Sequence, residues 1–334
     1  MRIAIVKLSA LGDIIHAMVV LQFIKKYYPN AVIDWIVEEG FKDVLTNNPH
    51  INQIHTVNLK KVKQKKSLRL LFKELRKLRK LQKYDLVIDT QGLIKSAIVS
   101  RAIPSDKIFG FDKESLRESF ATTFYSETCK IDYAENIIER NVAIVASTLD
   151  ITISHKDILN KQPFLYSSNQ SPLNFISNTK PNIALIPGAS FESKIYPVKR
   201  YAQLIQQLDA NIVILWGSEI EKKMAEDIQE ISPEVNISDR LTLNELKTFI
   251  SRMNLVIGGD TGPTHMAWAL NVPSITLFGS TPGYRNTFTT DINRILESES
   301  EVDPYKINKN DFSIKNIKVS DIVKMSKELL EDSK

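Results

Sequence analysis

Short apolar runs of strand type alternate with amphipathic helical segments along most of the chain, and the alternation is laid down twice. An apolar run buried on both faces, followed by a 3.6-residue period, specifies a parallel strand and its crossover helix rather than a hairpin. In the first series the spacing predicts strands over residues 2–7, 32–37, 54–57 and 85–89. A helix marked by Ile14, Val19, Leu21 and Ile24 follows the first of them. From about Pro163 to Lys180 the chain turns to Ser, Asn and Pro and loses its period, as a linker does. In the second series the strands fall at 182–186, 211–216, 255–258 and 274–278, with helices around 199–208, 219–230, 243–251 and 263–270. The pattern predicts an α/β protein with a doubly wound parallel sheet in each half. Its parts are a domain over 1–165, a linker over 166–180, a second domain over 181–316 and a helical segment over 317–334, with packing back on the N-terminal domain as one option. A length of 334 residues is enough for two such cores.

With 43% hydrophobic and 25% charged residues, the composition is that of a globular protein and excludes wholesale disorder. Cys129 is the only cysteine, and His16, His50, His55, His155 and His265 do not fall at zinc-ligand spacing. A reducing compartment and no structural metal are expected. The N-terminal run Ile3 to Val6 is too short for a signal-peptide core, and no stretch approaches the ~18 apolar residues of a membrane span. A cytoplasmic location follows as the expectation. The formal net charge is only +5, but the cations cluster between Lys60 and Lys83, where Glu74 is the sole acid. Leu68, Leu71, Phe72, Leu75, Leu78 and Leu81 carry helical spacing, so the later part of the run reads as a helix with a core face and a solvated basic face. Lys60 to Lys66 precede that period and read as a basic loop able to meet an anionic partner.

The turn after the first strand holds Lys7, Ser9, Gly12 and Asp13 at the carboxyl edge of a parallel sheet, where ligands bind in open α/β folds. That position puts Asp13 at a cleft; taken alone it reads equally as a helix N-cap or first-turn acid. Gly12 without further glycines argues against a dinucleotide-binding turn, and no phosphate-loop motif of the Gly-Lys-Ser/Thr kind is present. The stretch from Gly258 to Met266 ends a strand in glycines and starts a helix near Pro263, which offers free N–H groups to an anion such as a diphosphate. A plain tight turn capped by Asp260 or Thr261 fits the same residues, and His265 also reads as a packed helix residue. Two further loops, 187–194 and 216–221, follow strands of the same series. Lys194 would neutralise phosphate and Glu221 would accept from a ribose, although each taken singly reads as a solvated surface residue.

Taken together, Lys7-x-Ser9-x-x-Gly12-Asp13, the segment Val37 to Phe41, Asp89-Thr90-Gln91-Gly92-Leu93-Ile94-Lys95-Ser96-Ala97 and Asp260 to His265 resemble the ADP-heptose:lipopolysaccharide heptosyltransferases of glycosyltransferase family 9. The likeness runs over nearly the whole chain, and Glu38 to Phe41 with Gln91 to Ser96 look most like heptosyltransferase I, the branch that adds the first heptose to Kdo. That resemblance implies the GT-B fold, two facing Rossmann-like domains with the acceptor on the N-terminal one and the ADP-sugar on the C-terminal one. It implies inverting transfer of heptose from ADP-L-glycero-β-D-manno-heptose to Kdo2-lipid A, with Asp13 as the base. Lys194 and the backbone at Thr261 and Gly262 would then offset the leaving diphosphate, Asp260 would hold heptose hydroxyls, and Glu221 would bind the ribose. Ser190 and His265 match neighbouring donor positions, while Lys60, Lys61, Lys63 and Arg117 match acceptor positions. Lysines stand where relatives often carry arginines, which keeps the charge and weakens bidentate recognition. No cofactor and no metal are implied, since the chain has no Asp-x-Asp motif. A lipid-anchored acceptor further implies peripheral contact with the cytoplasmic face of the inner membrane, and no nucleic acid partner. Two other readings compete: heptosyltransferase II or a related nucleotide-sugar transferase, and a non-catalytic basic module binding nucleic acid or other anions, which leaves Asp13 and Lys194 unexplained.

Overall fold

The computed structural model describes residues 1–168 and 175–332. Residues 169–174 of the expected 166–180 linker, and 333–334 of the C-terminal segment, lie outside the described residues. The chain divides into two compact units, Met1–Phe164 and Leu165–Lys334.

In the first unit the chain runs β1 (Arg2–Val6), α1 (Leu11–Met18), α2 (Val20–Tyr27), β2 (Val32–Glu38), α3 (Lys42–Leu45), β3 (Gln53–Val57), α4 (Leu59–Lys65), α5 (Leu68–Leu78) and β4 (Tyr84–Asp89). It continues with α6 (Ile94–Ala102), β5 (Ser105–Phe111), β6 (Glu127–Cys129), α7 (Ile137–Leu149) and α8 (His155–Leu159). All six strands are parallel, in the order β3-β2-β1-β4-β5-β6. The central strand is the most apolar one, and Ile3, Ala4, Ile5 and Val6 are wholly buried beneath helices on both faces. At the amino edge of this sheet the buried Asp34 of β2 ties four strands together. It accepts from Arg2 at 3.2 Å, Tyr84 Oη at 2.6 Å and Asn52 at 2.8 Å, and His55 Nε2 lies 3.6 Å away. Burial would raise its pKa, but the hydrogen bonds from His55, Tyr84 and Asn52 win and hold it at about 2.

The second unit contains β7 (Asn182–Ile186), α9 (Val198–Ile205), β8 (Asn211–Ile214), α10 (Glu219–Ile231), β9 (Asn236–Ile237), α11 (Leu243–Ile250) and β10 (Leu255–Gly259). After these come α12 (Gly262–Ala269), β11 (Ser274–Phe278), α13 (Gly283–Asn286), β12 (Asn293–Glu297) and α14 (Val319–Glu331). Its parallel sheet has the order β12-β11-β10-β7-β8-β9. Taken from its far edge and numbered within the unit, that is the same 3-2-1-4-5-6 order as the first sheet, the order of dinucleotide-binding folds.

Two expectations are corrected by the packing. Lys60 to Lys66 do not form a loop. Asn58 caps α4 by accepting from Lys61 N at 3.0 Å, and the Glu38 carboxylate accepts from Leu59 N at 3.2 Å and Lys60 N at 2.9 Å, so a basic segment without apolar periodicity is still held helical at its first turn. Leu68 and Phe72 do not join the core face of α5, being 71% and 67% exposed, because the helix turns Glu74 and Leu78 inward instead. The last helix gives apolar side chains to the core of the second unit. Ile322, Val323 and Leu329 lie in the second unit's core with Tyr201, Leu204 and Ile212, and Tyr196 Oη donates to Ile317 O at 2.9 Å just ahead of the helix.

Candidate active site

In a sheet of this order the crossovers before and after the first strand run in opposite directions, which opens a crevice at the carboxyl ends of the first and fourth strands. In each unit the singled-out residues fall there or on the loops beside it.

In the first unit Asp13 is the third residue of α1, half-buried, with its carboxylate accepting from Ala10 N at 3.0 Å. The loop that presents it is clamped from the fourth strand. The Gln91 side-chain amide donates to Ser9 O at 2.7 Å, while its carbonyl accepts from Leu8 N at 2.6 Å and Ser9 N at 3.3 Å. Lys7 Nζ donates to Thr90 O at 2.8 Å and Lys95 Nζ to Ser9 Oγ at 2.8 Å. Behind Gln91, the wholly buried Asp89 accepts from Gln91 N, Gly92 N and Tyr125 Oη at 2.9, 3.1 and 2.8 Å; burial nevertheless pushes its pKa upward. Gly92 sits at φ +69°, a left-handed turn position open to glycine, and an added Cβ would strike Leu116. The exposed lysines Lys60, Lys61 and Lys63 ride on α4, which Glu38 anchors at the carboxyl end of β2. Arg117 is exposed in the loop after β5; its neighbour Glu118 accepts from Ile94 N at 2.7 Å and so fixes that loop to the start of α6.

In the second unit the loops after β7, β10 and β11 meet around Asp260, which is 9% exposed at its side chain. Its Oδ2 accepts from Lys194 Nζ at 2.6 Å, Thr281 Oγ1 at 3.1 Å and Asn286 Nδ2 at 3.1 Å, and its Oδ1 from His265 Nε2 at 3.0 Å. Burial alone would raise this carboxyl's pKa. The His265 hydrogen bond and the Lys194 charge reverse that and hold it far below the usual range. Asp260 is thus committed to these four donors, and Thr261, the N-cap of α12, makes no side-chain capping bond. The plain capped turn is therefore not what the stretch forms, and the first-turn N–H groups are left to other acceptors. Glu221 closes a capping box on α10: its Oε2 accepts from Gly217 N at 2.7 Å and Ser218 N at 2.9 Å. A Cβ on Gly188 would collide with the Glu221 side chain, so the glycine lets that carboxylate approach the loop after β7. Ser190 is exposed on that same loop.

In the second unit Lys194 and His265 thus meet on Asp260, with Thr261 and Gly262 at the adjoining helix start, Ser190 on the Lys194 loop and Glu221 one strand over; in the first unit Asp13 follows β1 and the basic helix follows β3. Sequence reasoning missed Thr281 and Asn286, and left Gln91 and Glu38 without roles. The only available signal for the first two was their place just after a strand on the ligand-binding edge. Among the described residues, no group of three or more His, Cys, Asp or Glu side chains is gathered as a metal would require, and no helix is long and apolar enough to cross a membrane. Chemically, the second unit offers a helix start and a lysine to an anion, and the first offers a carboxylate able to take a proton.

The model of glycosyltransferase family 9 (heptosyltransferase) matches residues 70–311. Lipopolysaccharide heptosyltransferase 1 of Campylobacter coli is 41% identical over 99% of this chain and 100% of its own length. The enzyme of the same name from Escherichia coli K12 is 27% identical over 85% and 89%, and lipooligosaccharide heptosyltransferase 2 of Haemophilus influenzae 28% identical over 90% of each. Among solved structures, E. coli heptosyltransferase WaaC with ADP superposes with a TM-score of 0.81 at 22% identity, covering 98% of this chain and all of that one. E. coli ADP-heptose heptosyltransferase II gives 0.72 at 20% identity over 99% of each chain. The fold is GT-B.

Proposed function

The chain belongs to glycosyltransferase family 9, the heptosyltransferases, and from that premise we propose that it transfers L-glycero-D-manno-heptose from ADP-heptose to a Kdo residue of Kdo2-lipid A in building the lipopolysaccharide inner core. It is a glycosyltransferase of the heptosyltransferase I kind. The observation that carries the reading is a matched pair of ligand edges: a half-buried carboxylate at the switch point of one sheet, and a lysine beside an uncapped helix start at the switch point of the other.

In this mechanism Asp13 takes the proton of a Kdo hydroxyl as that oxygen attacks the anomeric carbon, while the bond to the diphosphate breaks on the opposite face and ADP leaves with inversion. A sugar hydroxyl is a poor nucleophile at neutral pH, and a positioned base contributes about 10²–10⁴-fold. Lys194 has three N–H donors; with one on Asp260, the others serve the leaving diphosphate, joined by the backbone at Thr261 and Gly262. Asp260 then acts first as the anchor of Lys194, with spare acceptor capacity on Oδ1 for a heptose hydroxyl. Glu221 keeps Oε1 for the ribose because Oε2 is used by the capping box. Ser190 and His265 border the same donor pocket. Lys60, Lys61, Lys63 and Arg117 meet the Kdo carboxylates and lipid A phosphates. Because that acceptor is lipid-anchored, the basic helix also brings the enzyme to the cytoplasmic face of the inner membrane as a peripheral protein.

The test is transfer from ADP-L-glycero-β-D-manno-heptose to Kdo2-lipid A, read by mass spectrometry, with wild type beside Asp13→Ala. One added heptose is expected, with the rate in Asp13→Ala reduced at least about 10²-fold. Transfer solely to an acceptor that already bears a heptose would move the assignment to heptosyltransferase II, and no heptose transfer to either acceptor would sink the reading.

A further inference from the structure

We propose that the outward face of α5 is a docking surface for an anionic lipid bilayer, in which Leu68 and Phe72 enter the headgroup layer while Arg69, Lys73 and Arg76 engage lipid phosphates. The helix has a face of its own for the core, where Glu74 and Leu78 are buried. Leu68 and Phe72 are not on it; they stand one turn apart, i and i+4, and are 71% and 67% exposed. Single exposed apolar residues are ordinary, but two on adjacent turns form a patch, and this patch continues round the helix into cations. At about 100° per residue, Arg76, Arg69 and Lys73 occupy the neighbouring arc. All three are exposed, and among the described residues none of them takes part in an ion pair, whereas Lys77 on the far side is held by Glu74 at 2.9 Å.

An apolar pair bordered by unpaired cations has one fitting occupant, the boundary where acyl chains end and anionic headgroups begin. Long basic side chains reach from that depth up to the phosphates while their stems lie along the apolar layer. A second copy of the chain would set these cations against themselves, and a nucleic acid would meet the charges but leave Leu68 and Phe72 in water. The surface therefore complements a lipid sheet in both charge and polarity. The inference rests on the lipid-anchored acceptor proposed above and deepens it: attraction by α4 alone would vanish with salt, whereas an inserted pair adds binding that salt does not screen.

The experiment is flotation of the full chain with vesicles of phosphatidylethanolamine and phosphatidylglycerol at about three to one, beside phosphatidylcholine vesicles, at about 0.1 M and about 0.5 M salt. Wild type is expected to bind the anionic vesicles and to keep part of that binding at high salt. Leu68→Ser/Phe72→Ser is expected to lose about tenfold or more of its partitioning at both salts, with an unchanged thermal midpoint. A Phe72→Trp variant is expected to shift its emission to the blue on anionic vesicles and to be quenched by brominated acyl chains. Undiminished binding by the double serine variant, an unshifted emission spectrum for Phe72→Trp, a dimer that Phe72→Ser dissociates, or a preference for RNA over vesicles would each overturn the proposal. Heptose transfer to a water-soluble Kdo acceptor separates the two readings: the serine variant should keep it in full. Failure of transfer in wild type would strike the enzymatic assignment and leave the vesicle result standing.

Discussion

Asp260 shows how little of a site's wiring lies in the residue types. Its carboxylate and the Lys194 ammonium are each about nine-tenths buried and 2.6 Å apart, so Asp260 is the charge that compensates Lys194 for leaving water, while Lys194 shares the compensation of Asp260 with His265. Removing one partner should therefore cost more than removing both. Lys194→Met is expected to destabilise the fold by about 3 kcal/mol, and Lys194→Met/Asp260→Asn to recover at least about 1 kcal/mol of that in urea unfolding. Strictly additive single effects would show that the pair is not coupled. Both residues stood out in the sequence, but as separate ligand groups; that they face each other is decided by the loops after β7 and β10, which lie side by side only once the sheet forms. Thr281 and Asn286, from loops after the next strand, were invisible for the same reason. Gln91 was legible as part of a motif, yet its work is to satisfy the backbone of Leu8 and Ser9, and a hydrogen bond across 82 or 83 positions leaves no local trace.

Among the elements, the strands at the middle of each sheet were plain in the sequence because both of their faces are buried and their runs are uniformly apolar. β5, β6, β9 and β12 were not. β5 begins Ser-Asp-Lys with its first three residues out of the core, and β6 and β9 are only three and two residues long. α4 was misjudged because its helicity comes from Asn58 and Glu38 at its start rather than from any apolar period. Asp34 acts at this scale too, since its partners lie on or beside β1, β3 and β4. Its pKa in the fold, about 2, is below the unfolded value near 3.9, so its contribution is complete above about pH 4 and fades as pH falls through about 2. Asp34→Asn is expected to lower stability by about 2 kcal/mol at pH 7, with the gap to wild type closing across that acid window. A constant gap from pH 7 to pH 2 would show that the network, rather than the charge, carries the effect.

For the whole molecule, the chain divides into two compact units between Phe164 and Leu165, each holding one parallel sheet. The last segment's partner could not be read, because an amphipathic helix announces that it has an apolar face and not which core receives it. Val319, Ile322, Val323 and Leu329 are all buried in the second unit. At about 1.5–3 kcal/mol for each large side chain, their loss approaches the whole stability of a domain. Ending the chain at Lys318 is thus expected to abolish the second unit's cooperative melting in calorimetry and to leave the first unit's. Survival of both transitions would mean that α14 is an accessory to that core.

The strand order common to both sheets has a bearing on how such a chain can change over generations. The residues proposed for the nucleotide sugar and those proposed for the acceptor hang from separate copies of one strand order, each on its own set of loops. If α4 and the loop holding Arg117 take the acceptor as proposed, substitutions there would retune which acceptor is chosen without touching the contacts among Lys194, Asp260 and His265. New acceptor preferences can therefore arise by drift on one frame while the other conserves its energy-rich donor.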